Sequence, residues 1–229
     1  MRWIYDIVSL FFPNICNSCD SVLYQNEDII CSRCLLTLPK TKFHYHHQNP
    51  VTEIFDGRLT IESAAAFLYY SKGGRVQHMI HSFKYKKNLE LGRLLGRLFG
   101  NDLRKSSLFN NVEAVIPIPL HESKQKLRGF NQSEVFGREL AAVLKIDFLA
   151  DVLIREKVTT TQTRKSRFER WKNVDDVFRV TQPEKIRGRH ILLVDDVVTT
   201  GATVEAAGLT LLDVPDVTIS LAFLAVASH

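Results

Sequence analysis

The stretch 189–206, RHILLVDDVVTTGATVEA, constrains the fold of this chain more than any other part of the sequence. Four branched apolar residues at 191–194 are typical of a strand that is buried on both faces. Asp195 and Asp196 follow directly, then two valines, then a turn of small residues at 199–203. Beyond the turn the apolar residues recur at helical spacing. This order predicts polar residues at the carboxyl end of a parallel strand, which is where open α/β sheets bind ligands.

The turn after the two acids has the residue types that bind phosphate. Backbone N–H groups at a helix N-terminus attract anions, threonine hydroxyls add donors, and a glycine lets the backbone approach an anion closely. Two carboxylates beside a polyphosphate would repel it, so we expect Asp195 and Asp196 to accept hydrogen bonds from the vicinal hydroxyls of a ribose. The predicted 5′-phosphate loop consists of Thr199, Thr200, Gly201, Ala202 and Thr203.

The sequence ILLVDDVVTTGAT at 191–203 resembles the 5-phosphoribosyl-1-pyrophosphate (PRPP) motif of type I phosphoribosyltransferases. The resemblance implies an α/β fold with a parallel, Rossmann-like sheet, a catalytic acidic pair at Asp195 and Asp196, and Mg²⁺ bound together with PRPP. The alternative is a buried strand followed by an ordinary polar turn. A Walker B strand is disfavoured because the sequence has no GxxxxGK[ST] loop. A receiver domain is disfavoured because its paired aspartates come early in the fold.

The four cysteines form two CxxC pairs near the N-terminus, Cys16 with Cys19 and Cys31 with Cys34. Each pair supplies two thiolates at a spacing that fits a tetrahedral ion, and four thiolates complete the coordination shell. We therefore predict a structural Zn²⁺ site in a small segment that resembles a zinc ribbon. Disulfides are the alternative, but they need an oxidising compartment, which nothing else in the sequence indicates. The nearby histidines within 44–47 are interpreted as part of an exposed linker.

The chain is predicted to contain two units. Residues 1–48 hold an N-terminal helix and the zinc-binding segment, and residues 60–229 form the phosphoribosyltransferase-like domain, with a polar linker between them. In the second unit predicted strands alternate with predicted helices, which indicates a parallel sheet with helices on both faces. One of these helices carries Gly92, Gly96 and Gly100 on a single face, a pattern that predicts close packing against a neighbouring element.

Two basic stretches are suited to the pyrophosphate group of PRPP. The first follows the buried strand EAVIPIPL at 113–120 and is predicted to be a ligand-facing loop. The second, at 159–170, is polar and is predicted to be a mobile flap that orders when PRPP binds. A solvated basic surface is the alternative for both stretches. The candidate pyrophosphate-binding residues are Lys124, Lys126, Arg128, Gln162, Arg164 and Arg167.

Composition narrows the class of protein further. The chain has 229 residues, of which 45% are hydrophobic and 24% charged, and its formal net charge is +5. These values are ordinary for a soluble globular protein. No apolar run approaches the roughly 20 residues that a membrane span needs. The start of the chain is interpreted as an amphipathic helix and not as a signal peptide, because Asp6 interrupts the apolar region and no cleavage site follows. We predict a cytoplasmic protein.

Taken together, the motifs resemble the ComF family of competence proteins along nearly the whole chain. The resemblance implies a phosphoribosyltransferase-like protein with a zinc-binding N-terminal segment and a link to DNA uptake in natural transformation. It also implies PRPP as a ligand, and single-stranded DNA and proteins of the competence machinery as partners. The loop after PIPL is less rich in arginine than is typical of the family. The matching sequences are the two CxxC pairs, FKYKK at 83–87, PIPL at 117–120, RGFNQ at 128–132, TxxQ at 159–162, Arg170 with Asn173, and VDDVVTTGAT at 194–203.

Two classes of function stay open at the level of the sequence. The first is a phosphoribosyltransferase, in which PRPP loses pyrophosphate to an acceptor and catalysis consists mostly of positioning and charge stabilisation. The second is a non-catalytic module that senses PRPP or binds single-stranded DNA through basic and aromatic side chains. The aromatic candidates for base stacking are Phe83, Tyr85, Phe130, Phe168 and Trp171.

Overall fold

The computed structural model describes residues 13–156 and 177–227. The strands in this part of the chain are β1 (Ser63–Tyr70), β2 (Ala114–Pro117), β3 (Asp147–Phe148), β4 (Leu153–Glu156), β5 (Val177–Val180), β6 (His190–Val198) and β7 (Thr218–Ala227). Five of them form a central sheet in the order β1-β7-β6-β2-β3, in which every neighbouring pair is parallel. The other two, β4 and β5, form a separate antiparallel pair. The predicted α/β class with a parallel, Rossmann-like sheet is confirmed.

Helices cover this sheet and connect its strands. They are α1 (Ser32–Leu36), α2 (Pro50–Glu53), α3 (Arg75–Tyr85), α4 (Leu89–Leu103), α5 (Glu122–Arg128), α6 (Gln132–Leu144) and α7 (Ala202–Leu212), with short 3-10 turns at Phe43–Tyr45, Ser107–Phe109 and Pro183–Lys185. Helix α6 begins directly after Asn131, because the Asn131 side chain accepts a hydrogen bond from the Ser133 backbone N–H. No described helix combines the length and the hydrophobicity that crossing a membrane requires.

Helices α4 and α6 pack closely through the predicted glycine face. A Cβ atom added to Gly96 would lie 2.8 Å from the Phe136 carbonyl oxygen, and one added to Gly100 would lie 2.9 Å from Val143 Cβ. Only glycine therefore lets the two backbones approach to this distance. The glycines cost α4 some intrinsic helix stability, and the packing that they allow holds α4 and α6 on one side of the central sheet.

Two parts of the chain differ from the sequence-based expectation. The stretch after PIPL, expected to be a loop, contains helix α5, which the His121 side chain caps and an ion pair between Glu122 and Lys126 supports. Gly129 ends that helix with a φ of 81°, a backbone conformation that glycine adopts readily. The pair β4 and β5 also differs, because the alternation of strands and helices predicts parallel strands and these two are antiparallel to each other. Both features depend on short elements with little apolar periodicity.

The predicted polar linker before β1 is also structured. Asn49 caps helix α2, and its side chain donates a hydrogen bond to the Ala64 carbonyl oxygen of β1. Phe55 and Leu59 are fully or almost fully buried in the main hydrophobic core. His44, expected to be exposed, is buried against Phe99. Because these apolar residues are spaced irregularly, their burial is visible only in the folded chain.

The cysteine-bearing segment packs against the rest of the protein. Cys16, Ile30 and Cys34 belong to the same buried cluster as the sheet. Lys40 and Leu68 form an isolated antiparallel β-bridge at the outer edge of β1. The predicted N-terminal helix at residues 1–12 lies outside the described residues.

Candidate functional site

The two acids lie within the last residues of β6 and face different helices. Successive side chains of a strand point to opposite faces, so Asp195 meets α6 and Asp196 meets α3. Asp195 Oδ1 accepts a hydrogen bond of 2.7 Å from Ser133 Oγ and one of 2.8 Å from the Asp196 backbone N–H. Ser133 is itself almost fully buried. The Asp195 carboxylate is therefore held in one orientation before any ligand binds.

Asp196 has a lysine partner that the sequence analysis did not assign to the site. Lys84 Nζ, near the C-terminal end of α3, lies 2.7 Å from Asp196 Oδ2, and the two side chains keep only 16% and 13% of their exposure. An ion pair this far from bulk water is screened less than a surface pair. The sequence contained one pointer to this lysine, the FKYKK motif at 83–87, which is part of the resemblance to the family. The motif alone does not indicate what its lysines contact.

The acidic pair has an unusual protonation equilibrium. Burial, and then the nearby Asp196 charge, raise the pKa of Asp195 from 3.8 to about 6, whereas the Ser133 hydroxyl, the Asp196 N–H and the Lys84 charge act in the opposite direction. Buried carboxylates with shifted pKa values are frequent at functional sites. This places the titration of Asp195 near neutral pH.

The raised pKa predicts that Asp195 destabilises the folded protein at neutral pH. Because the folded-state pKa lies above the unfolded value, the ionised carboxylate costs roughly 2–3 kcal/mol above pH 6, and this cost disappears as the pH falls towards 4. We expect Asp195→Asn to unfold at a higher denaturant concentration than wild type at pH 7.5, and the difference to shrink between pH 7 and pH 4. Asp56→Asn, which removes an exposed carboxylate, is the control. A stability difference that does not change with pH would contradict the shift.

The predicted phosphate loop forms the start of helix α7. Gly201 is the N-cap residue of α7 with a φ of 76°, and it is buried, whereas Thr199 and Thr200 are exposed. A Cβ atom at Gly201 would lie 2.8 Å from Phe55 Cε1, so a larger residue would displace the loop. The loop therefore lies between the carboxyl end of β6 and the N-terminus of α7, with Thr199 and Thr200 exposed.

Residues from the supposed linker support this loop from behind. Arg58 Nη1 donates a hydrogen bond of 2.8 Å to the Thr200 carbonyl oxygen, and Arg58 Nη2 lies 2.5 Å from Glu205 Oε2 on α7. The ring of Phe55 packs against Gly201, as described above. Arg58 and Phe55 therefore belong to the candidate site, and the sequence analysis missed them because nothing in a short stretch indicates contact with a loop so distant in sequence.

One of the three described pyrophosphate candidates, Arg128, contacts side chains outside its own helix. Arg128 Nη1 donates to Gln132 Oε1 at 2.7 Å, and its guanidinium lies over the Tyr85 ring, 5.4 Å from the centroid. Lys126 pairs with Glu122 at 2.7 Å on the exposed side of α5, and Lys124 is exposed. The other three candidates, Gln162, Arg164 and Arg167, lie outside the described residues, as does the predicted flap at 159–170.

The four cysteines come together as the CxxC spacing predicts. Their sulfur atoms all lie within 4.8 Å of one another, and Cys19 Sγ and Cys31 Sγ are 3.8 Å apart. Zn–S bonds of about 2.3 Å in a tetrahedron put the sulfur atoms roughly 3.8 Å apart. Backbone N–H groups point at the sulfurs, with Cys31 N 3.2 Å from Cys16 Sγ. The thiols are free, so disulfides do not account for the cluster.

Comparison with known proteins agrees with this geometry. A family model described as "Phosphoribosyl transferase domain" matches residues 131–225, which span α6, the acidic pair, the phosphate loop and most of β7. The chain is 33% identical over 129 residues to "DNA utilization protein YhgH" of Escherichia coli O157:H7 and to "Competence protein F" of Haemophilus influenzae, covering 55% of this chain and 56% of each relative. It is 27% identical over 206 residues to "Competence protein ComFC" of Bacillus subtilis, covering 87% of this chain and 78% of that relative.

The chain is thus similar to proteins named for competence and DNA utilization, and its residues 131–225 match a phosphoribosyl transferase domain. Its fold is the type I phosphoribosyltransferase fold with a four-cysteine segment at the N-terminal side. The matched region spans little more than half the length of the first two relatives. The acidic pair and the predicted phosphate loop lie inside the matched domain, whereas Lys84, Phe55 and Arg58 precede it.

Proposed function

We propose that this protein binds Mg-PRPP at the carboxyl end of its sheet and acts as a phosphoribosyltransferase-like protein in DNA uptake. One observation carries the proposal: β6 places an oriented acidic pair directly before a buried glycine turn that opens helix α7. In this arrangement Asp195 and Asp196 accept hydrogen bonds from the ribose hydroxyls, and the loop from Thr199 to Thr203 binds the 5′-phosphate. The 5′-phosphate and the ribose ring of one ligand would thus contact adjacent parts of one strand-turn-helix unit.

The metal in this proposal arrives with the ligand. Asp196 is paired with Lys84, and Asp195 already accepts two hydrogen bonds, so the described acids do not form an open carboxylate cage. Such a site suits Mg²⁺ that is bound mainly by pyrophosphate oxygens and water, where it neutralises the charge of the leaving group. The proposed residues for the pyrophosphate are Lys124, Lys126, Arg128, Gln162, Arg164 and Arg167.

If the protein is a transferase, its residues act by positioning and by charge. The bond from ribose C1 to pyrophosphate breaks, a nucleophilic nitrogen of the acceptor bonds to C1, and the acceptor proton passes to solvent. Positive charge develops on the ribose ring, and the carboxylates of Asp195 and Asp196 stabilise it most in that state. Arg128 and its neighbours stabilise the negative charge of the departing pyrophosphate.

We also propose that the cysteine cluster binds one structural Zn²⁺. Four thiolates fill the tetrahedral shell, so no position is left for catalysis. Arg75 Nη1 lies 3.6 Å from Cys34 Sγ and offsets part of the negative charge of such a site. In this proposal residues 1–48 form the zinc-binding unit and residues 60–229 the transferase-like unit. Reduced thiols are typical of the cytoplasm, where we place the protein.

A second candidate function is binding of single-stranded DNA without transfer. The observation that favours it is a stacked group beside the acidic site: Tyr85 is 54% exposed, with the Arg128 guanidinium over its ring and the His81 ring 4.8 Å from it. An exposed aromatic ring next to cationic side chains suits the stacking of a base and contact with the phosphate backbone. We include proteins of the competence machinery as partners in this proposal, because the relatives are named for competence and DNA utilization.

Titration calorimetry with Mg-PRPP tests the proposal directly. We expect saturable binding at one site per chain, and weaker binding of ribose 5-phosphate because it lacks the pyrophosphate. Release of pyrophosphate in the presence of candidate bases and amines, compared with single-stranded DNA, separates the transferase from the binding module. Absence of Mg-PRPP binding by the zinc-loaded protein would contradict the proposed function, whereas binding without pyrophosphate release would favour the sensing or DNA-binding alternative.

A further inference from the structure

We propose that helix α3 links the four-cysteine segment to the ribose site, and that Lys84 is the positioning residue through which zinc loading strengthens PRPP binding. This inference rests on the proposed function, because it takes Mg-PRPP as the ligand of the Asp195–Asp196 pair. It assigns the cysteine segment a role beyond local folding. The argument starts from the two faces of α3.

One face of α3 contacts the cysteine segment at three successive turns. Arg75 approaches Cys34 Sγ at 3.6 Å, and His78 Nδ1 lies 3.5 Å from Asp20 Oδ2. Ser82 donates a hydrogen bond of 3.3 Å to the Asn17 side-chain oxygen. Positions 75, 78 and 82 fall on one side of a helix, so these contacts form a continuous line.

Asn17 is the centre of this contact, and it lies between the first two cysteines. Its side-chain oxygen also accepts a hydrogen bond of 2.6 Å from Asn88, the N-cap residue of α4, and its amide donates to the Ile29 carbonyl oxygen at 2.9 Å. Ser82 is buried. The first CxxC pair, which contains Asn17, therefore helps to fix where the C-terminal turn of α3 meets the start of α4.

The other face of α3 contacts the acidic site. Lys84 lies two positions after Ser82, which on a helix is about 200° around the axis, and its ammonium group is 2.7 Å from Asp196 Oδ2. Phe83 between them is fully buried against Phe130. Because these contacts leave the last turn of α3 little freedom, a shift of the cysteine segment moves Lys84 relative to Asp196.

Loss of the Lys84 contact changes the site in two ways that disfavour PRPP. Asp195 and Asp196 then repel each other without a compensating cation, and Asp196 loses the partner that orients it. The site also loses a positive charge close to an anionic ligand. Since a coupling between two binding sites is reciprocal, zinc should strengthen PRPP binding and PRPP should strengthen zinc retention by the same factor.

A four-way comparison tests the inference. The Mg-PRPP dissociation constant is measured for wild type and for Lys84→Met, each with zinc bound and after chelation. We expect zinc removal to weaken binding by roughly 5- to 150-fold in wild type, the range typical of coupled sites, but by less than about twofold in Lys84→Met, because the two changes act through one contact. Lys86→Met, an exposed lysine at the end of the same helix, is the matched control and should retain the wild-type response.

A second arm covers the case in which chelation unfolds the segment. Asn17→Ala removes the contact to Ser82 and Asn88 while leaving all four thiolates in place. We expect it to keep its zinc and to bind Mg-PRPP more weakly than wild type, and to lose this difference when combined with Lys84→Met. The control is Asn26→Ala, at an exposed position of the same segment.

The reciprocal measurement is the rate at which zinc passes to a chromogenic chelator with and without Mg-PRPP. PRPP should slow zinc release from wild type. The same rate measured on Lys84→Met is the control for zinc that PRPP itself binds in solution. Equal effects of zinc removal in wild type and Lys84→Met, or wild-type affinity in Asn17→Ala, would overturn the inference and leave the proposed function intact. No Mg-PRPP binding by the zinc-loaded wild type would overturn the proposed function, and the inference with it.

Discussion

Cys31→Ser is expected to release one equivalent of zinc and to unfold residues 13–48, the largest effect on structure that we predict. Structural zinc binding contributes roughly 10–16 kcal/mol in small zinc-binding peptides. The backbone around the cysteines forms little regular structure, since its one described α-helix, Ser32–Leu36, has five residues. Cys31 is also the N-cap residue of that helix, and its sulfur accepts a hydrogen bond from the Cys34 N–H. Metal loss and helix loss therefore reinforce each other.

Elemental analysis and amide hydrogen exchange measure this result. The wild-type protein should contain one zinc per chain and should protect the backbone of the segment, for example Cys16 N–H, which donates to the Ser21 carbonyl oxygen. Ser32→Ala is the matched control, because it keeps the backbone hydrogen bond from residue 32 to Glu27 and all four thiolates. Purified wild type without zinc, or a segment still protected after thorough chelation, would contradict the prediction.

The double variant Asp195→Asn with Asp196→Asn is expected to weaken Mg-PRPP binding by roughly 2–5 kcal/mol, or about 30- to 5000-fold. Charge-assisted hydrogen bonds from the ribose hydroxyls become neutral ones, and Lys84 is left without its carboxylate partner. Asp195→Asn alone should bind weakly and yet unfold less easily at neutral pH. That combination is typical of a residue retained for function at a cost in stability.

Calorimetry measures the effect of the double variant, and thermal unfolding confirms that the fold is retained. Asp213→Asn is the matched control, since it removes an exposed carboxylate at the opposite end of α7 from the phosphate loop. It should bind Mg-PRPP as wild type does. Equal Mg-PRPP affinities of the double variant and the control would contradict the assignment of the ribose to the acidic pair.

Local sequence determined the parts of the site that lie along one continuous stretch. The run from Ile191 to Thr203 encodes a buried strand, two acids, a glycine turn and a helix start, and the order of elements along the chain decides that the acids and the turn share one end of the sheet. The same holds for the two CxxC pairs, whose spacing brings the sulfurs within reach of one ion. It also holds for the glycine face of α4, which follows from helical periodicity alone.

Tertiary structure decided which other side chains meet that stretch. Ser133 contacts Asp195 across 62 positions of sequence, and Arg58 contacts Thr200 across 142. Lys84 reaches Asp196 only because the last turn of α3 lies beside the end of β6 while its other face contacts the cysteine segment. Residues a few positions apart are neighbours through backbone geometry, whatever the rest of the chain does. Residues this far apart meet only because burial of the apolar faces of β6, α3 and α6 in one core brings their polar ends to a common site.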